Sequence, residues 1–194
     1  MQHKVKMTVI DKKLYPELQA QYCADPNAGS CPCYQVGDEF VFERYQTADD
    51  FWHMGVNTLR QAAGVPEQTA GGPDMPHCSE AWDAVARYIY TGLQGGSIMR
   101  GWMNDERVMI TCCSDGTRPV IFKLERMDYK VLYIGGIACE ACRDRIRQAL
   151  KVLDGVKDVV FREAFTEVYL ETEVEDARLR AAVEELGYSV EKID

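Results

Sequence analysis

Eight cysteines carry most of the chemistry this 194-residue chain can offer. Two of them, Cys139 and Cys142, are separated by two residues in GGIACEAC (135–142). Thiols at that spacing can close a disulfide, cycle as a redox couple or hold a metal ion. The other six lie in QYCADPN (Cys23), SCPCYQVGDEF (Cys31, Cys33), PHCSEAW (Cys78) and TCCSDGTRPVIF (Cys112, Cys113). In a reducing compartment, clustered cysteines serve as metal ligands or redox groups more often than as structural disulfides.

What the CxxC holds depends on the elements around it. VLYI (131–134) reads as a short apolar strand, and Cys142, Ile146, Ala149, Leu150 and Leu153 recur at helical spacing. VKDVVF (156–161) and TEVYLE (166–171) read as strands. EDARLRAAVEELG (175–187) reads as a helix closed by a glycine, and YSVEKI (188–193) as a last strand. The order is βαββαβ, the split ferredoxin-like plait. Cys139 then lies on the loop after the first strand and Cys142 at the start of the first helix. Unpaired backbone N–H groups and the positive end of the helix dipole favour a thiolate there. Two thiolates on such a loop suit a soft cation wanting few ligands. Cu(I) leads, with Zn(II), Cd(II) and Hg(II) as alternatives. A closed zinc site would want four ligands, and this segment holds two cysteines and no histidine. A redox dithiol is the chief rival, although the element order is not that of a thioredoxin-like domain.

Composition narrows the field further. The net charge is −9, and the chain is acidic on both sides of residue 130. Nucleic-acid binding is disfavoured, because neutralising phosphates supplies most of that affinity. No apolar run approaches the roughly 20 residues that span a bilayer, so no membrane insertion is expected. MQHKVKMTVIDKK at the start has no signal-peptide pattern, and a cytoplasmic location is expected.

GGIACEAC followed by the βαββαβ pattern, LDGV and LGYSV resembles the heavy-metal-associated domain. That family includes copper chaperones, the metal-binding repeats of copper-pumping ATPases and the periplasmic mercury-binding protein. The resemblance covers residues 130–194. It implies that Cys139 and Cys142 bind the metal, that Tyr188 lies near the metal loop, and that the partners are the metal ion and a copper-transporting ATPase or another metal-trafficking protein. The family's usual Met, two residues before the first cysteine, is Ile137 here, which can fill the same buried anchoring role.

Residues 1–129 read as a separate α+β domain with short strands and one main helix. KVKMTVIDK (4–12) is an opening strand, and CYQVGDEFVFER (33–44) a strand pair turned at Gly37-Asp38. A Gly/Pro-rich loop (64–76) leads to a helix over 79–93 capped by Ser79, and two strands flank SDGTRP. The stretches CP…VGDEF, a cysteine ahead of a helix, and CSDGTRPVIFK resemble a family of small uncharacterised bacterial and archaeal proteins. Cys31, Cys33, Cys78 and one of Cys112 and Cys113 could converge on a second thiol site for Zn, Cu(I) or an iron–sulfur cluster. In an extended chain Cys31 and Cys33 share a face, whereas Cys112 and Cys113 diverge. Cys23 is read as incidental. His77 beside Cys78 is a lesser ligand candidate, and His3 and His53 have no evident partners. Asp115 is read as a turn former and Arg118 as its internal partner or an anion grip. Trp52, Trp82 and Trp102 are read as core or groove aromatics.

The expectation is therefore an α+β protein. Its C-terminal ferredoxin-like domain (130–194) handles a soft metal, and its N-terminal domain (1–129) holds a further thiol cluster. A thiol oxidoreductase or metal-ion reductase, fed by the CxxC, is the alternative.

Overall fold

A computed structural model describes residues 1–44, 59–61 and 78–194. The Gly/Pro-rich loop at 64–76, Trp52, His53 and His77 lie outside the described residues. The chain is mixed α+β and divides into two compact units. One comprises Lys4–Arg126; the other comprises Met127–Asp194 together with Met1–His3.

The Lys4–Arg126 unit is a sheet with one long helix. Its elements are β1 (Gln2–Lys12), α1 (Pro16–Tyr22), β2 (Glu39–Arg44), β3 (Leu59–Gln61), α2 (Ser79–Leu93), β4 (Val108–Cys112) and the first part of β5 (Val120–Gly135). The strand order is β3-β2-β1-β5-β4. The core follows from simple alternation. Val5, Met7 and Val9 of β1 and Val120, Phe122 and Leu124 of β5 are fully buried at every second position. Helix α2 presents Ala81, Val85 and Ile89, spaced by four, to the same core.

Two local expectations are corrected here. Residues 33–36 are not a strand. β2 pairs instead with β1, antiparallel, with Val5 opposite Phe42 and Met7 opposite Phe40. The turn at Gly37 (φ +97°) leads into β2 and is tied to β1 through Gly37 N–H to Val9 O at 2.8 Å. Ser79 is not the cap of α2. It is the first helical residue, and Cys78 occupies the cap position in an extended conformation. Trp102 is a third correction: it is 78% exposed, whereas Trp82 packs on the core.

The C-terminal unit runs through β5 from Met127, α3 (Glu140–Lys151), β6 (Val156–Phe161), β7 (Thr166–Leu170), α4 (Asp176–Glu184) and β8 (Ser189–Ile193). The strand order is β6-β7-β5-β8, and every neighbouring pair is antiparallel. This is the ferredoxin-like plait. Its core joins Leu132 of β5, Ile146 and Leu150 of α3, Val159 of β6, Val168 and Leu170 of β7, Leu179 and Val183 of α4 and Val190 of β8. Burying each such side chain contributes about 1.5–3 kcal/mol before the entropy cost of ordering it. Gly155, at φ +94°, turns the chain from α3 into β6, and a Cβ there would lie 2.5 Å from Thr172 Oγ1. Only glycine fits such a position. The tight turn follows the end of α3, and Ile146 and Leu150 hold the helix against the core.

Candidate metal centre

The loop between β5 and α3 is built to hold two thiols at the surface. Gly135 ends β5 opposite Ser189. Gly136 follows at φ +86°, with the Tyr188 ring 3.8 Å from where a Cβ would stand. Ile137 turns inward and packs on the C-terminal core, as the anchoring role requires. Ala138 and Cys139 are exposed. Cys139 is the cap residue of α3 in an extended conformation, and its carbonyl accepts from Cys142 N–H at 3.1 Å and Arg143 N–H at 3.3 Å. This first turn brings Cys142 back beneath Cys139. The two sulfurs stand 2.9 Å apart, and both thiols are free.

Cys142 is set up as a thiolate. Its contact with the Cys139 thiol, a hydrogen bond from the Tyr188 hydroxyl and backbone N–H donors at Ala138 and Cys139 hold it down at about 7. Tyr188 is pushed the other way, chiefly because its hydroxyl donates to Cys142. The last turn before β8 thus delivers Tyr188 to the metal loop, as the sequence resemblance implied. Glu140 and Ala141, between the cysteines, face solvent, and Glu140 pairs with Arg143 at 3.3 Å. An open cavity of about 130 Å³ lies beside the loop, lined in part by Ile134, Ile137, Arg143, Phe161 and Arg162. It falls well short of the 300 Å³ or more of an ordinary small-molecule pocket.

In the other unit the structure gathers some of the remaining thiols and separates others. Cys31, Cys33 and Cys78 are half-buried and pack against the core that contains Tyr34 and Cys113. Cys31 and Cys33 lie close enough to act on one another. They meet on a loop rather than along a strand. Burial pushes the Cys33 thiol up, and Cys31 and Cys78 push it the same way. Burial likewise pushes the Tyr34 phenol up, with Cys78, Cys33, Cys31 and Cys113 adding to the effect. Cys113 is buried, and its sulfur accepts from Val120 N–H at 3.3 Å. Cys112 is exposed, so the two adjacent cysteines do diverge. Cys23 is the cap residue at the end of α1, within electrostatic range of Arg118. Among the described residues, no group of three or more His, Cys, Asp and Glu side chains is arranged to hold a metal ion.

Sequence reasoning missed the groups that position these thiols. Lys12 Nζ donates to the carbonyls of Cys31 and Tyr34, both at 2.7 Å, and pins the loop between them. No spacing rule links residues 12, 31 and 34. Asp115 accepts from Thr117 and from Arg118 Nε at 3.0 Å, so it is both the turn former and the partner of Arg118. His3, without an evident partner in the sequence, pairs through Nδ1 with Asp128 Oδ1 at 2.7 Å.

Comparison with known proteins bears on the C-terminal unit. Residues 131–189 match the model of the heavy-metal-associated domain. A search of curated proteins finds no match to the chain. Among solved structures, the chain is similar to a CopZ metallochaperone, at 26% identity over 32% of this chain and 98% of that one, with a TM-score of 0.31. It is also similar to a protein from Bacillus anthracis str. Ames named for copper-ion binding, at 29% identity over 34% of this chain and 96% of that one, again with a TM-score of 0.31. At that score neither likeness carries the fold, which stands on the strand order β6-β7-β5-β8. Residues 131–189, with the cysteine pair at the head of α3, form a heavy-metal-associated domain.

Proposed function

We propose that Cys139 and Cys142 bind one soft metal cation, Cu(I) above the others, and pass it to another two-thiol site. The observation that carries this reading is the pair itself: two free sulfurs, 2.9 Å apart, on an exposed loop at the start of a helix. A metal replaces the shared proton between them. Two metal–sulfur bonds of about 2.3 Å at a tetrahedral angle set the sulfurs about 3.8 Å apart, and a more linear geometry sets them further. Loading therefore opens the pair by about 0.9 Å at a tetrahedral angle and by more in a linear geometry. Exposed Ala138, Cys139 and Glu140 leave room for that movement.

Binding converts two thiols and Cu(I) to a bis-thiolate complex of net charge −1 and releases the thiol protons. Transfer follows from exposure. An incoming thiolate from a partner adds as a third ligand before one of the two outgoing bonds breaks, so no bare ion forms. The natural partner is another protein bearing two thiols, such as the metal-binding segment of a copper-transporting ATPase. A reducing cytoplasm would keep the pair in the dithiol form that this exchange needs.

Anaerobic titration of the reduced full-length protein with Cu(I), against a competing chelator, tests the reading. The Cys139→Ser, Cys142→Ser variant should lose one tight equivalent. Unchanged stoichiometry and affinity in that variant would sink the proposal. The short sulfur–sulfur distance favours one further reading, a redox dithiol, since closing a disulfide needs only about 0.9 Å of approach. That reading predicts a 2 Da mass loss at this pair that cycles with a thiol reductant at a physiological potential, and no tight metal.

A further inference from the structure

We propose that Cys31 and Cys33 form a second soft-cation site, with two sulfur ligands like the first but shielded rather than exposed. The reasoning starts with the loop that carries them. A CxC pair on a mobile loop would sample many sulfur separations. Here the backbone is held at both ends: Lys12 Nζ grips the Cys31 and Tyr34 carbonyls at 2.7 Å, and the Tyr34 ring is buried edge-on against Phe40 and Phe122. The clamp leaves both thiols packed against the same core, close enough for each to act on the other.

Three further features suit a thiophilic cation. Both sulfurs are half-buried beside apolar side chains, an environment that favours a soft, weakly hydrated ion over a hard one. A bis-thiolate complex of a monovalent ion carries net charge −1, and the Arg118 guanidinium lies within electrostatic range of Cys31 and Cys33. Arg118 is held by Asp115 at 3.0 Å, so its guanidinium is fixed in position before the ion arrives, its charge shared between that carboxylate and the thiols. Cys78, at the cap of α2, flanks the pair on the same core and offers a third sulfur when it moves in. The three do not already meet at one point, so the resting site is the Cys31–Cys33 pair and trigonal coordination is the closed form. Cys112 faces outward, and Cys113 is committed to the Val120 amide, so neither belongs to the site.

The two pairs differ in what they favour. An exposed pair admits a partner's thiolate and exchanges quickly. A pair clamped against a core admits one slowly and retains its ion.

The proposal is tested in the full chain with the surface pair removed. Under anaerobic, reducing conditions, the Cys139→Ser, Cys142→Ser variant is titrated with Cu(I) alone against a chelator. Retention of one tight equivalent, lost when Cys31→Ser and Cys33→Ser are added, is the expected result. No tight equivalent in the first variant would overturn the proposal. So would an equivalent that survives the added substitutions. Copper-edge X-ray absorption on the loaded first variant gives an independent reading even where the fourfold variant fails to fold. Two or three sulfurs, with no nitrogen or oxygen, are expected; a nitrogen- or oxygen-dominated shell would refute the assignment. The Cys31→Ser, Cys33→Ser variant with the surface pair intact separates the two sites. It should keep the Cys139–Cys142 equivalent, and its loss there would show that the two pairs are not independent sites. Failure of the surface pair to bind metal would leave the Cys31–Cys33 result standing on its own.

Discussion

Tyr188→Phe isolates one contact at the metal loop. The substitution keeps the ring that lies against Gly136 and removes the hydroxyl that donates to Cys142. Cys142 is held at about 7, against about 8.5 for an ordinary cysteine. At pH 7.4 these values correspond to about 70% and about 7% thiolate, a tenfold range that bounds the effect. Tyr188 ranks behind the Cys139 contact and ahead of the backbone donors in holding the thiol down, so its removal forfeits part of the range. The thiolate population at pH 7.4 should fall by about two- to fourfold. The assay is the rate of iodoacetamide alkylation of Cys142 as a function of pH, with modified peptides resolved by mass. The wild-type midpoint should lie near 7 and the variant's above it. The same variant should bind Cu(I) more weakly at pH 6.5 than the wild type and converge with it above pH 9, because protons compete with the metal only below the thiol's titration. Coincident alkylation profiles would refute the hydrogen bond, and a wild-type midpoint at the ordinary value would refute the whole arrangement.

Two further perturbations test the frame rather than the site. Ile146 is fully buried and lies one helical turn after Cys142, so Ile146→Ala should cost about 2–5 kcal/mol in denaturant unfolding; a loss under about 1 kcal/mol would mean that this turn is not packed as described. Asp105 is held at about 2 by hydrogen bonds from Arg107, below its unfolded value of about 3.9. A carboxylate lowered in the folded state contributes stability above the unfolded value and loses it as pH falls toward 2. Wild-type stability should therefore fall between about pH 4 and pH 2 more steeply than that of Asp105→Asn; parallel pH profiles would contradict the pairing.

Legibility differed between the two units for physical reasons. In the C-terminal unit each element buries a regular face. Val159, Val168, Leu170 and Val190 lie on strands; Ile146 and Leu150, and Leu179 and Val183, recur four apart on helices. Periodicity therefore reports these elements directly, and the metal loop follows from their order. The N-terminal unit hides its signals. Helix α1 has seven residues and one buried side chain, Gln19, whose amide exchanges hydrogen bonds with the Gly29 backbone at 3.0 and 3.1 Å. A polar clasp leaves no hydrophobic period to read. The stretch at 33–36 alternates well enough for a strand, but Lys12 and Asp38 satisfy its backbone instead: Asp38 Oδ2 accepts from Gln35 N–H at 2.8 Å while Lys12 takes the Tyr34 carbonyl. Side-chain bonds of this kind compete with strand ladders for the same backbone groups.

The same competition bears on how the thiols work. At the surface loop the helix start supplies the geometry: the Cys139 carbonyl caps the first turn, and Tyr188 and the backbone donors ready one sulfur as a thiolate. Most of this is local to the loop and the helix start, but Tyr188 comes from the turn before β8, so GGIACEAC is recognised only together with the βαββαβ order around it. The Cys31–Cys33 loop has no helix to organise it. Its order comes from a lysine 19 residues away and an arginine held by its own turn. Lys12 is thus the residue on which the shielded pair depends. It touches neither sulfur, but releasing its two carbonyls frees the loop between Cys31 and Tyr34 and with it the sulfur separation that a two-ligand ion requires.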